Sequence, residues 1–169
     1  MASPGTSFKL FEKMSVFRQI LTAVIYLHKQ KAAHLNIQPG SVLVFNKWNK
    51  VKLSGFGHVI KVRPDETCQE YDLHHVAGPM EALVRMQPYN PYKADTWALG
   101  SLLFYIITGN FLHEKTNTPL PAILLPVLKE CDVCHQKAIL STLTTLLFYE
   151  PNRRPELIVV LQKINDLKK

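Results

Sequence analysis

Apolar residues recur at three- and four-residue intervals from Phe8 to about Lys31. Phe17, Ile20, Leu21, Val24 and Leu27 share one face while Gln19 and Thr22 fall elsewhere, which predicts a long amphipathic helix. Tyr26-Leu27-His28 closes it, and Lys29 to Lys31 place positive charge near its C-terminus. Val42-Leu43-Val44-Phe45 and Val51-Lys52-Leu53 flank the polar stretch 46–50 and predict a small hairpin. Residues 58–80 have no period, predicting an extended, partly mobile segment. Glu81 to Met86 predict one short helix, and Pro88 to Pro91 a loop.

The stretch from Lys93 to Thr108 is apolar nearly all round, so its helix belongs inside the molecule, with Gly109 as a C-terminal cap. Leu120 to Leu128, Gln136 to Phe148 and Pro155 to Leu167 predict three more helices, the last starting at its proline. The expected fold is mainly α with one small β-hairpin, which must lie on the helices because a lone hairpin is marginal in water. Residues 1–7 read as a flexible tail and 8–169 as one domain.

Composition changes little in this picture. The 169 residues are 47% hydrophobic and 20% charged, which suits a folded domain and argues against disorder. The net charge of +7 comes from scattered residues with no run of basics, so no nucleic-acid partner is expected. The start lacks a secretory pattern, and the apolar stretch around Leu102 to Ile107 is too short to span a bilayer. Three cysteines, Cys68, Cys131 and Cys134, fit a reducing compartment. The expected location is cytoplasmic, with the nucleus as an alternative, without secretion or a membrane partner.

Some local patterns invite chemistry. Cys131-Asp132-Val133-Cys134-His135 matches the C-x-x-C-H haem-attachment pattern, but no second ligand signal accompanies it, and two ordinary cysteines beside a helix-start histidine explain it better. A zinc site would need four ligands, and Cys68, His74 and His75 are poorly placed to complete one. No cofactor and no metal are expected.

A series of landmarks remains: Tyr26-Leu27-His28, His34-Leu35-Asn36, Lys52-Leu53-Ser54-Gly55-Phe56-Gly57, Pro79-Met80-Glu81, Lys93-Ala94-Asp95-Thr96-Trp97-Ala98-Leu99-Gly100 and Asn152-Arg153-Arg154-Pro155. In this order and spacing the chain resembles the C-terminal lobe of the eukaryotic protein kinase fold, over nearly its whole length. The family's catalytic loop reads H-R-D-L-x-x-x-N and its metal turn D-F-G. The resemblance places the catalytic-loop region at 34–57, the activation segment at 58–81 and the central helix at 93–108.

By that resemblance the reacting groups are replaced. Asn36 stands where the aspartate would handle the proton of the attacking hydroxyl, and Gln38 where a lysine would steady the transferring phosphoryl group. Ser41 stands for the metal-binding asparagine and Gly55 for the metal-binding aspartate, while Leu35 removes the arginine of the catalytic loop. Neither a glycine-rich loop nor a V-A-I-K lysine can be assigned, so the N-terminal lobe is read as absent from this chain. What the resemblance retains is framework. His34 and Phe56 would stack internally, and these two with Gly57 would keep the turn geometry. Asp95 would hold the catalytic-loop backbone, and Glu81 would pair with Arg154. Thr67 and Tyr71 fall at activation-loop positions but lack a basic receiver. The expected function is that of an inactive, kinase-like scaffold or allosteric module. Its partner would be another protein, over the surface where an N-lobe would pack. The alternative is a shortened form of a serine/threonine protein kinase-like protein that retains ATP binding, with Leu43 as a vestigial nucleotide floor.

Overall fold

The computed structural model describes residues 10–46, 48–62, 89–112, 119–129 and 131–166. The first helix, α1, is Leu10–Lys29 and buries Val16, Phe17, Ile20, Leu21, Val24 and Ile25. Its apolar face therefore runs through Ile25, and Leu27 stays half-buried at the edge. The helix stops two residues before the expected Lys31 because Lys31 turns left-handed (φ 56°) while its N–H still bonds back to the His28 carbonyl at 3.0 Å.

The chain then makes a strand that its sequence does not advertise. β1, Ala32–Ala33, pairs antiparallel with a later strand, β4, Ile60–Lys61, in the register Ala32 to Lys61 and Ala33 to Ile60. Part of the stretch expected to be extended and partly mobile is thus tied to the end of α1, and the Val62 N–H extends the ladder to the Lys31 carbonyl at 2.8 Å. Two residues per strand are too few for an alternating pattern to register. The expected hairpin lies between them: β2, Val42–Phe45, against β3, Lys50–Leu53. Val42, Val51 and Leu53 pack on the core. The Gln19 side-chain oxygen accepts the Val51 N–H at 2.9 Å, which clips the hairpin to α1.

The central helix, α2, is Pro91–Thr108. It starts two residues earlier than the apolar pattern indicates, because Asn90 caps it. The Asn90 side-chain oxygen accepts the N–H groups of Tyr92 (2.9 Å) and Lys93 (3.2 Å), with Pro91 in the first helical position. Gly109 closes the helix at φ 75°, its N–H on the Tyr105 carbonyl. Lys13 reaches across from α1 to the Ile107 carbonyl at 2.8 Å, satisfying one of the orphan acceptors of that helix end. Burial holds the Lys13 ammonium below its ordinary range, with the nearby Cys131 thiol opposing that shift.

Three helices complete the described part: α3, Leu120–Val127; α4, Val133–Leu146; and α5, Leu157–Asp166. α4 starts before Gln136 because Asp132 caps it, accepting the His135 N–H at 3.0 Å. Pro155 lies just outside α5, whose first carbonyl acceptor is that of Glu156. A single cluster joins α1, α2, α4 and α5 through Phe17, Leu21, Leu99, Leu103, Ile139 and Val160. At Gly100 the α2 backbone approaches α4 so closely that a Cβ would sit 2.8 Å from Leu147 and 2.9 Å from Leu146. The fold is mainly α, as expected, with two small antiparallel sheets among the described residues rather than one hairpin. No helix among the described residues is long and apolar enough to cross a membrane.

Candidate functional site

The loop after β1 is held by a carboxylate from the central helix. Asp95, in the second turn of α2, is fully buried (0% exposed). One oxygen accepts the His34 N–H at 2.8 Å and the other the Leu35 N–H at 2.8 Å. The His28 ring nitrogen Nε2 lies 2.9 Å from the first oxygen, and because an ionised carboxylate only accepts, this nitrogen carries the proton. The three donors come from the end of α1 and the loop, so one side chain fixes both to α2. Leu35 occupies the left-handed region (φ 58°), costly for a branched side chain, and its bond to Asp95 helps to hold it there. The His28 ring also meets Tyr92, with centroids 4.7 Å apart.

His34 sits above this anchor, fully enclosed. Its Nε2 donates to the Ser54 carbonyl at 3.0 Å, while its Nδ1 accepts the Asn36 N–H at 3.2 Å. Both ring nitrogens are satisfied only in the neutral form. Burial pushes the His34 imidazolium below its ordinary range, and His58 adds to that, while the Asp95 charge and the Ser54 carbonyl oppose it. The Phe56 ring meets His34 at 5.2 Å between centroids, tilted by 60°. Phe56 itself is 53% exposed, so the described residues bury only the His34 side of this pair.

The four positions where reacting groups would stand form a closed, neutral cluster. Gln38 Nε2 donates to Asn36 Oδ1 at 2.8 Å, and Asn36 Nδ2 points back to the Gly55 carbonyl in a long 3.5 Å contact. The Ser41 hydroxyl donates to the Gln38 carbonyl at 2.8 Å and accepts the Gln38 N–H at 3.0 Å. Ser54 ties in through its N–H (2.8 Å) and hydroxyl (3.1 Å), both on the Ser41 carbonyl. The donor set at the four positions is thus two amides, one hydroxyl and one bare backbone, with no carboxylate and no cation.

Gly55, not Gly57, is the glycine this turn requires. Gly55 has φ 81°, and a Cβ there would lie 3.2 Å from both Asn36 Nδ2 and Ser41 Cβ. Gly57 lies in a short 3-10 turn, Phe56–His58, where a Cβ would meet nothing within 4 Å. The turn geometry expected from Gly57 therefore rests on its neighbour. Leu43, the expected nucleotide floor, faces outward and is 45% exposed.

Arg154 is a second buried hub, 2% exposed. Its guanidinium donates to the carbonyls of Phe148 (2.8 Å), Lys93 (2.9 Å) and Tyr149 (3.2 Å) and lies 4.9 Å from the centre of the Trp97 ring. Lys93 returns the connection, its ammonium 2.9 Å from the Arg154 carbonyl and 2.8 Å from Glu156. The expected partner Glu81, together with Cys68, His74, His75, Thr67 and Tyr71, lies outside the described residues. In the C-x-x-C-H stretch, Asp132 and His135 serve the start of α4: the aspartate also takes the His135 Nδ1, and both bonds hold its carboxyl below the usual range. Among the described residues no three His, Cys, Asp or Glu side chains converge as a metal site would need.

Sequence reasoning missed His28 as an Asp95 partner and Gln19 as the clip on the hairpin. Their contacts span 67 and 32 residues, and no local pattern marks either.

A mainly helical lobe, with the loop after its first helix hung from a buried aspartate of the central helix, is the architecture of a protein kinase C-terminal lobe. The sequence profile of the protein kinase domain matches residues 2–163, and the chain belongs to that family. It is 28% identical over 152 residues to "Sperm motility kinase Tcr mutant form" of Mus musculus, covering 89% of this chain and 31% of that protein. It is 33% identical over 106 residues to "Sperm motility kinase 3A" of Mus musculus, covering 63% of this chain and 21% of that protein. With "Serine/threonine-protein kinase STK11" of Rattus norvegicus the identity is 28% over 117 residues, covering 68% and 27%. The chain thus spans less than a third of the length of these relatives.

Proposed function

We propose that this chain is a non-catalytic member of the protein kinase family that acts by binding another protein, in the cytoplasm, as a scaffold or allosteric element. The closed neutral cluster of Asn36, Gln38, Ser41 and Gly55 carries the reading. Phosphoryl transfer needs a base-like carboxylate and anionic oxygen ligands for magnesium. Here the Gln38 and Asn36 side chains bond to each other, the Ser41 hydroxyl bonds to the Gln38 backbone, and the space beside Gly55 is filled by Asn36 and Ser41. These residues do not fit a magnesium–nucleotide complex, and no catalytic step is assigned to them. Exposed apolar residues around the hairpin, Leu43, Phe45 and Trp48, supply a surface of the kind that partners cover.

The test is direct. Purified chain mixed with ATP and magnesium should show no rise in its unfolding midpoint and no phosphate transfer to a generic protein substrate. Asn36→Asp combined with Gly55→Asp should restore neither, because Gln38 and Ser41 remain. A midpoint rise of several degrees with wild-type chain would instead favour the second reading, a kinase-like chain that still binds ATP, which the exposed Leu43 and the names of the relatives support.

A further inference from the structure

The basic residues of this chain are scattered, but the acidic ones are not. Residues 13–64 hold nine of the 20 Lys and Arg and none of the 13 Asp and Glu, which gives that segment +9 and the remainder −2. In space this segment is α1 from Lys13 onward, the two small sheets and the cluster around Gly55, so among the described residues this side takes from its own elements no carboxylate beyond Glu12 at the start of α1. The same side carries an open groove of about 1020 Å³ between α1, β3 and α5. Tyr26 (63% exposed) and Phe56 line it with apolar surface, and Arg18, Thr22, Lys52 and Asn165 add polar atoms. The Arg18 Nε is buried with no hydrogen-bond partner among the described residues, a costly state for a charged group. Beside the groove, on the outward face of the hairpin, Leu43 is opposite Lys52 and Phe45 opposite Lys50, so apolar and cationic side chains are paired. The Lys52 ammonium lies 5.7 Å from the centre of the Phe45 ring.

We propose that this groove and the adjoining hairpin face bind an acidic segment of a partner protein that also carries large apolar side chains. The inference rests on the protein-binding reading above and specifies the chemistry of the partner. One carboxylate fits the Arg18 guanidinium where it lines the groove, as a charge-assisted hydrogen bond, and a second faces Lys52. The apolar side chains enter between Tyr26 and Phe56, where aromatic anchors give binding energy and the surrounding positive charge gives orientation and rate.

The experiment uses the full chain and a short fluorescein-labelled peptide in which two phenylalanines stand among glutamates, followed by anisotropy. Peptides with glutamine or lysine in place of glutamate are the controls, and uridine homopolymer RNA and phosphatidylserine vesicles compete separately. The acidic peptide should bind at least about tenfold more tightly than the glutamine form at low salt. That advantage should shrink at physiological ionic strength, where the screening length is about 8 Å. Lys52→Glu and Tyr26→Ser, both on the surface, should each weaken binding by about fivefold or more without moving the unfolding midpoint. Equal affinity for the glutamine form, no binding up to about 1 mM, or indifference to both substitutions would overturn the proposal. Displacement by RNA or vesicles at lower charge concentration than the peptide would overturn it too, in favour of a nucleic acid or a membrane. Any of these results leaves the non-catalytic reading standing, whereas phosphate transfer by the same preparation removes that reading and leaves the groove to be judged on its own data.

Discussion

Asp95 accepts the backbone N–H of Leu35 at 2.8 Å while Leu35 is held at φ 58°. The bond links a strained loop residue to the rigid central helix, and the other carboxylate oxygen serves His34 and His28. One acceptor-only group therefore meets three donors. Asp95→Asn would turn an NH2 toward at least one of them. A buried donor left unmatched costs about 1–3 kcal/mol, and the loss of charge adds to this, so Asp95→Asn should lower unfolding stability by about 3 kcal/mol. Urea unfolding measures it. A change below about 1 kcal/mol would mean that the loop does not depend on this carboxylate.

Gly55 and Gly57 should respond in opposite ways to the same substitution. Gly55→Ala places a Cβ 3.2 Å from Asn36 and Ser41 on a left-handed backbone, at a cost of about 1–2 kcal/mol from the conformation alone. Gly57→Ala meets open space at an ordinary φ and removes only unfolded-state freedom, so it should be neutral or stabilising by up to about 1 kcal/mol. Thermal unfolding of the two variants side by side decides it, and equal destabilisation would contradict the turn described here.

This pair of glycines also shows how far the sequence carries the reading. Long helices such as α1 and α2 are legible because their apolar positions repeat over many turns, and the hairpin because a polar turn separates two apolar runs. The replaced reacting groups are visible as residue types at Asn36, Gln38, Ser41 and Gly55. How these four are connected is not visible, since backbone φ at Gly55 and the bond from Gln38 to Asn36 are properties of the folded loop. The two-residue pairing of β1 with β4 gives no pattern at all. The helix starts at Asn90 and Asp132 were missed because a cap is a polar residue outside the apolar period, although Asn90-Pro91 is a signal that could have placed the first of them.

Arg154 should resist conservative exchange. Its fork reaches three carbonyls from the end of α4 and the start of α2 while its plane lies near Trp97. Lysine keeps the charge but offers a point donor on a flexible stem, so it cannot match this geometry. Arg154→Lys should destabilise by about 2–3 kcal/mol, and Arg154→Met by at least as much, because three part-buried carbonyls would lose their donors. Equilibrium denaturation of both variants tests the order. If lysine proved as stable as arginine, the charge rather than the fork would be what the site uses.

His34 makes stability depend on pH with a definite sign. Its ring is enclosed, Nδ1 accepts the Asn36 N–H and Nε2 donates to Ser54, so a second proton would have to displace the Asn36 bond inside the core. Burial lowers its pKa in the folded chain, with His58 acting in the same direction and Asp95 and Ser54 against it. The unfolded chain, with an ordinary histidine pKa of about 6.5, then binds more protons than the folded one. Stability should be full above that value and fall as pH drops below it, by at most about 1.4 kcal/mol per pH unit from this residue, levelling once the folded pKa is passed. Urea midpoints between about pH 8 and pH 5 for the wild type and His34→Phe isolate the contribution, because the phenylalanine keeps a ring against Phe56 but cannot titrate. The difference between the two curves should shrink toward acid pH. Parallel curves would show that His34 binds its proton equally well folded and unfolded.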